Sequence, residues 1–520
     1  MRIAPILAIP LLGVGLVLFH TSLGPGASGD SAFYVMGAKN LLAGNGYSRF
    51  SGGYELKPIS GFPPGFPVML AVFSTLIPDM FAAARLMNAL LFGVSLFLMF
   101  WIVWRATGSR AAGLISQSAI LLSPVQFDLH SWVMSEPLYI FLMLLSLVLV
   151  ESYVRAGRPL LLVGVGILMA AATLTRYVGA SLIAAGCFAM VVLGKGSLRR
   201  RLVDAGVLGL VSALPVVAWL RRNAAVADTL TNREILYHPM RPELIRQYLA
   251  EISSWFVPHA VPLPTLVRAG LAVMIVLGLS AALIYMAVRF RWFTWSPEEK
   301  GLQPVHPAAV ILPTAVVVSI AFILILVANS LFLDAATTAS APPRYLAPVY
   351  VLSVLVFVCA GYWSQRVAKS RVVLSSMLLV LAVSLGVQGV GTIDLLRNPL
   401  PSLGYMGRRY TWAQTTDALR AIESGVPIVS NNPEMVYILS ERPAFVRPIR
   451  FDVYQQRERD DYLQQVEATR DKLEAGGVYV ILDEIEAVDQ DILERTGAEL
   501  LARYPHASFY GYQRGAEGRE

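Results

Sequence analysis

Apolar runs of roughly 20 residues recur along the chain, at about 3–23, 81–104, 111–127, 135–154, 159–175, 177–194, 202–220, 265–288, 307–329, 345–363 and 372–392. A helix of that length crosses the ~30 Å hydrocarbon core of a bilayer and satisfies its own backbone hydrogen bonds there. The pattern predicts a polytopic α-helical membrane protein with about eleven transmembrane helices. The first run, Ile3 to Leu23, exceeds the short apolar stretch of a signal peptide and reads as a retained anchor.

Two stretches break the pattern. Between the first and second runs lies "GDSAFYVMGAKNLLAGNGYS", Gly29 to Ser48, in which Tyr34, Ala38, Leu41 and Leu42 recur at i, i+4, i+7 and i+8. That spacing predicts an amphipathic helix along the membrane surface, stopped by Gly44, Asn45 and Gly46. The following "KPISGFPPGFPVMLAVF", Lys57 to Phe73, is too short and proline-rich for a full span, so a second interfacial or partly inserted helix is expected. After about residue 394 charges become frequent and apolar runs shrink to strand length. Residues 1–393 are thus read as the transmembrane domain and 394–520 as a small soluble α/β domain. Its strands are expected in "VPIVSNN", "AFVRPI", "VYVILDE" and "SFYGYQ", and its helices over Asp460–Glu474 and Asp489–Tyr504.

Composition agrees with the membrane class: 56% of residues are hydrophobic and 15% charged, and the mean hydropathy is +0.58. The net charge of +7 is a topology signal and not a nucleic-acid footprint, because the basic residues fall in alternate loops. Arg105 and Arg110, Arg155 and Arg158, Lys195 to Arg201, Arg289 and Arg291, and Arg366 to Arg371 mark one side. Lys and Arg favour the cytoplasm, so the N-terminus is expected inside the cell membrane, with the first loop and the C-terminal domain extracytoplasmic. Cys187 and Cys359 lie within apolar runs and are expected to be neither disulfide-bonded nor metal ligands.

The spans carry almost no charge at their middles, where ion-coupled transporters keep theirs. Acids and bases gather instead at the predicted outer ends: Asp30, Lys39, Glu55, Lys57, Arg85, Asp128, His130, Glu136, Arg176, Arg221, Arg222 and Arg344. Interfacial anchoring is the plainer reading for Arg85, Arg176 and His130. Asp30 also suits a helix N-cap, and "SEPL" at Ser135 to Leu138 suits an ordinary helix start. The tail motif "DQD", Asp489 to Asp491, has metal-ligand spacing, but acids at a helix start favour the dipole for a simpler reason.

Taken in order, the spacing "D(x)3Y(x)3A(x)2LL(x)G(x)GY" from Asp30 to Tyr47, then "PPGFP", "SEPL", "TRY" at Thr175, "WLRRN" at Trp219 and "RYLAP" at Arg344 resemble the C-type glycosyltransferase superfamily. The resemblance is to its polyprenyl-phosphate-sugar users, related to protein O-mannosyltransferases and lipid A aminoarabinose transferases. It implies inverting transfer of a hexose or pentose from a polyprenyl-phosphate carrier to a lipid, glycan or protein acceptor at the outer leaflet. Asp30 occupies the position of the family's base, with Glu55, Asp128 and Glu136 as alternative acids. Arg221, Arg222 and Arg344 are the first candidates for the leaving phosphate, joined by Lys57, Arg176 and Tyr345. The chain departs from the mannosyltransferases in having Ser31 after Asp30 and no room for inserted repeats at 223–262, which disfavours protein mannosylation. No cofactor is expected, and a divalent cation finds no convincing ligand set. The expected partners are the lipid-linked donor, the acceptor and membrane lipids, with no nucleic acid.

Two other readings remain open on sequence: a flippase or transporter of lipid-linked glycans, and a non-catalytic scaffold. The loop charges predict that a reporter joined after Glu520 is active if it works outside the cytoplasm and silent if it works only inside. The reverse pattern would invert the topology.

Overall fold

The computed structural model describes residues 4–52, 55–233, 235–237, 239–240, 242–255, 257, 261–289, 306–333, 342–368, 371–452 and 457–512. Its N-terminal part is a helical bundle, α1 (Ala4–His20), α2 (Gly29–Leu42), α3 (Gly65–Ser74), α4 (Met80–Thr107), α5 (Arg110–Leu121), α6 (Pro124–His130), α7 (Glu136–Ala156) and α8 (Pro159–Thr175). It continues through α9 (Ala180–Phe188), α10 (Leu198–Ala227), α11 (Pro242–Ser254), α12 (Thr265–Arg289), α13 (Ala308–Phe332), α14 (Pro342–Ala368) and α15 (Arg371–Arg397). Each predicted apolar run coincides with a helix, with two interruptions. The run at 111–127 breaks at Leu122–Ser123 between α5 and α6, where Ser123 caps α6 and Pro124 suits its first turn. The run at 177–194 begins as a 3₁₀ turn and ends in a π-helical turn, Ala189–Leu193.

Among the described residues, five helices are long and apolar enough to cross a membrane: α4, α7, α10, α13 and α14. Several shorter apolar helices, including α1, α3 and α8, pack beside them. Exposed leucines, isoleucines and valines stud α10 and α12, as expected for faces turned to lipid. The buried core joins α4, α7 and α13 around Phe92, Met99, Tyr139, Met143 and Val318.

The first long loop departs from expectation. Between α2 and α3 the chain forms an antiparallel hairpin, β1 (Ser48–Ser51) with β2 (Glu55–Pro58). Helix α2 is no open surface helix, because α3 and β1 pack on it and a helix from the C-terminal part covers another flank. Tyr34, Val35 and Ala38 are consequently buried. Nor is Asp30 its N-cap: Ser28 holds that position, its backbone N–H donating to Ser31 Oγ at 2.9 Å, and Asp30 lies inside the first turn.

Helix α15 runs past the expected boundary to Arg397. Short helices follow, α16 (Pro399–Ser402), α17 (Gly404–Thr411) and α18 (Ala413–Ala421), leading into β3 (Ile428–Ser430), α19 (Pro433–Ser440) and β4 (Phe445–Val446). Then come the small pair β5 (Phe451–Asp452) and β6 (Arg457–Glu458), α20 (Tyr462–Glu474), β7 (Val478–Leu482), α21 (Ala487–Thr496), β8 (Glu499–Tyr504) and β9 (Ala507–Gly511). They form one mixed sheet in the order β4-β3-β7-β9-β8, parallel across β4, β3 and β7 and antiparallel from β7 to β8. The helix expected over Asp489–Tyr504 is therefore half right. Gly497, left-handed at φ 69°, ends α21, and Glu499–Tyr504 turns into a strand that pairs with β9.

The "DQD" acids serve this packing. Asp489 is fully buried, accepts from Arg447 at 2.6 Å and from the Glu486 backbone N–H at 2.9 Å, and also takes the Tyr479 hydroxyl. Asp491 accepts from Tyr462 at 2.6 Å and Arg495 at 2.8 Å. Removing one partner of a buried charge pair costs about 3–5 kcal/mol. Asp489→Asn should therefore lower the unfolding temperature clearly, while Asp491→Asn, half exposed, should shift it little. Equal small shifts in thermal unfolding would deny Asp489 this structural role.

Candidate active site

Asp30 owes its position to the segment that precedes α2. Gly26 and Ala27 run between two other pieces of chain. Gly26 N–H donates to Ser131 O at 2.8 Å and Val133 N–H to Gly26 O at 2.8 Å, while Ala27 N–H donates to Leu403 O at 3.1 Å and Tyr405 N–H to Ala27 O at 2.9 Å. A Cβ on Gly26 would meet the Trp132 ring at 2.7 Å, and one on Gly404, left-handed at φ 55°, would meet it at 2.5 Å. Glycine is what lets the three segments close up. Ser31 Oγ then donates to Val133 O at 2.9 Å, which fixes the first turn of α2 beside the first turn of α7.

Four charges meet there. Arg344, from the start of α14, donates through one terminal nitrogen to Asp30 Oδ2 at 2.6 Å and through Nε to Glu136 Oε1. Arg176, at the end of α8, pairs with the same Glu136 oxygen at 2.7 Å and donates to Ser135 Oγ at 3.0 Å. Tyr34 donates to Ser135 Oγ at 3.1 Å, and Arg344 stands over the Tyr345 ring at 5.8 Å. Two carboxylates and two guanidiniums balance one another, as groups taken from water must. They are unequal in access: the Glu136 side chain is 1% exposed and that of Asp30 30%. Glu136 is thus the buried anchor holding two arginines, and Asp30 the acid that can meet a ligand. Burial, reinforced by the charges of Asp30 and Glu136, pushes the Tyr34 phenol well up, so it remains a proton donor in this network.

The other sequence candidates lie elsewhere. Glu55 and Lys57 are exposed on β2 and pair with each other at 3.8 Å. Asp128 accepts from Trp132 Nε1 at 3.1 Å, and burial pushes its carboxyl up to about 7 against that hydrogen bond. Arg221 is exposed. Arg222 is spent on backbone: it donates to Ile59 O at 2.8 Å and Tyr47 O at 2.9 Å and lies over Trp219 at 5.0 Å, tying α10 to the first loop. Arg85 likewise donates to Thr21 Oγ1 and the Leu18 carbonyl, and His130 Nδ1 bonds the Gln126 carbonyl. Tyr34 and Ser135 are the site residues that sequence reasoning passed over. The first stands four residues after Asp30, one helical turn away, and the second immediately precedes Glu136.

The C-terminal sheet reaches this site. Lys39 on α2 pairs with Glu441 at 3.0 Å, and Glu434, in the first turn of α19, lies 3.8 Å from where a side chain on Gly29 would begin. Burial raises the Glu434 carboxyl; nearby Asp30 adds to the shift and Arg49 opposes it.

The family model described as dolichyl-phosphate-mannose-protein mannosyltransferase matches residues 62–219. No curated protein matches the chain in sequence. In three dimensions the chain is similar to ArnT from Cupriavidus metallidurans bound to undecaprenyl phosphate, at 14% identity, covering 100% of each chain with a TM-score of 0.55. It is also similar to the same protein's apo state, at 15% identity, 97% coverage of each chain and a TM-score of 0.55. The arabinofuranosyltransferase AftD from Mycobacteria superposes with a TM-score of 0.50 at 15% identity, over 98% of this chain and 40% of AftD. The resemblance to the C-type glycosyltransferases thus holds in a sequence segment and in the fold of the whole chain.

Glu136, in sequence both a candidate acid and a plain helix start, is buried between two guanidiniums. Glu136→Gln should destabilise the protein by about 3–5 kcal/mol, the usual penalty for unbalancing a buried ion pair. Thermal unfolding should show a larger drop than for Asp30→Asn, and an equal or smaller drop would overturn the anchor role.

Proposed function

We propose that the chain is an inverting glycosyltransferase that moves a hexose or pentose from a polyprenyl-phosphate carrier to a glycolipid, glycan or protein acceptor at the extracytoplasmic face of the cell membrane. The observation that carries the reading is the single Arg344 guanidinium shared by half-open Asp30 and buried Glu136. The family match and the ArnT fold, solved with undecaprenyl phosphate, support the donor class. About eleven spans, a cytoplasmic N-terminus and an extracytoplasmic C-terminal domain complete the proposal, supported by the alternation of basic loops.

The chemistry follows from the charges. The acceptor hydroxyl gives its proton to Asp30 as its oxygen forms the new bond to the anomeric carbon. The bond from that carbon to the phosphate oxygen breaks on the opposite face, which inverts the configuration and leaves a polyprenyl phosphate with added negative charge. Arg344 and Arg176 are placed to receive that charge, a planar guanidinium matching two phosphate oxygens at once. When the phosphate takes Arg344, Asp30 loses a competing hydrogen-bond donor and is freer to accept the proton. Glu136 keeps both arginines in place. Tyr34 and Ser135 fill their remaining hydrogen-bonding positions.

Asp30→Asn keeps the shape of the side chain and touches no cap, because Ser28 holds that position. Membrane levels should stay normal and transfer should fall by roughly two orders of magnitude or more, the range for losing a general base. Purified Asp30→Asn that transfers sugar at near wild-type rate would remove Asp30 from the mechanism. Sugar transfer from a soluble nucleotide sugar without any lipid carrier would remove the donor assignment.

A further inference from the structure

The C-terminal sheet holds a cleft that the transfer chemistry does not use. Strands β3 and β7 are adjacent and parallel. The chain leaves β3 into α19, whose Met435, Val436 and Leu439 pack with Val480 and Leu482 on one face of the sheet. It leaves β7 into α21, whose Ile492 packs with Tyr479 and Ile481 on the other. Successive β7 side chains alternate between the two faces, so the helices after β3 and β7 depart in opposite directions. That reversal opens a crevice at the carboxyl ends of the two strands, where open α/β sheets bind their ligands. A cleft of about 730 Å³ lies at this point, within the ~300–1,000 Å³ of ordinary ligand sites.

Its walls describe the ligand. Asp483, Glu484 and Glu486 follow β7, Asn431 and Asn432 follow β3, and Arg408 closes one side. Asn431 bonds both the N–H and the carbonyl of Leu482, at 2.9 and 2.8 Å, which prolongs the β3–β7 pairing into the cleft. Asp483 adopts φ 63°, a left-handed turn conformation that Asp accommodates more readily than most side chains. Arg408 pairs with Asp483 at 2.9 Å, while the exposed Glu484 carboxylate has no partner among the described residues. His506, also on the wall, stacks on Trp412 at 4.5 Å and 11°, which holds its ring as a flat surface. The two arginines of the lining are both engaged, Arg408 with Asp483 at 2.9 Å and Arg447 with Glu486 at 2.5 Å, so a phosphate meets the unpaired Glu484 and, among the described residues, no free cation, and the polar walls offer little to an apolar chain. Carboxylates that accept from hydroxyls, beside a flat ring, suit a neutral saccharide.

We infer that this cleft binds a neutral saccharide unit, separately from the sugar-transfer site. Asn432 lines it and caps α19, the helix that packs on α2. The binding itself does not depend on Asp30 being a base.

Full-length protein in phosphatidylcholine nanodiscs, which avoid sugar-headed detergents, can be applied to an immobilised array of neutral and anionic oligosaccharides. Wild type and Asp30→Asn should bind the same neutral glycans equally, and Glu484→Gln should weaken that binding about tenfold or more. Inorganic phosphate should not compete. The inference is overturned if wild type retains no neutral glycan, if anionic glycans or phosphate are preferred, or if Glu484→Gln binds as wild type does. Because Asp30→Asn is read on the same array, loss of transfer and loss of glycan binding are separately visible.

Discussion

One guanidinium fixes the arrangement on which the rest depends. Arg344 reaches two carboxylates that arrive from distant parts of the chain, Asp30 from the first loop and Glu136 from the start of α7. Charges in a low-dielectric setting are tolerable only when each is matched and hydrogen-bonded, so the helix ends carrying them cannot drift independently. The same Glu136 oxygen takes Arg176, which adds α8 to the cluster. α2, α7, α8 and α14 are therefore registered at one end by electrostatics and along their lengths by packing. A transferase needs that combination, since a positioned base and a positioned cation remove most of the reorganisation that the reaction would otherwise demand.

Much of this was legible because membrane helices are written plainly. A bilayer demands about 20 apolar residues per crossing, so the runs from Phe81 to Trp104 and from Pro307 to Asn329 could hardly be anything but helices. The charges at helix ends were also legible, because little else in an apolar chain draws the eye. Their pairing was not. Arg222 and Arg344 look alike in sequence, yet one binds the carbonyls of Tyr47 and Ile59 and the other binds two acids, and only the path of the first loop decides which. Tyr34 carried no charge to attract notice, and its helix was read as lying open on the surface because neither the β1–β2 hairpin nor the covering α19 leaves a local signal. The C-terminal part shows the complementary error. Helix period and strand period are hard to separate over six residues, so "ELLARY" passed as the continuation of a helix that Gly497 in fact stops.

The C-terminal sheet is tied to the site by more than adjacency. Leu403 and Tyr405 hydrogen-bond Ala27, which with Gly26 beside it leads into α2, and Tyr410 donates to the Leu23 carbonyl at 2.8 Å. The Lys39–Glu441 pair adds a contact at the far end of α2, but it is exposed on both sides and worth at most about 1 kcal/mol. The backbone bonds, the glycine contacts at Trp132 and the burial of Leu403, Met406, Tyr437 and Ile438 in the helical core therefore carry the attachment. A domain fastened this way is continuous with the candidate site, because its Leu403–Tyr405 segment holds Ala27, three residues from Asp30. Asp30, the proposed base, is thus coupled to the C-terminal part through the backbone, while Glu136 is held by α7 and two arginines.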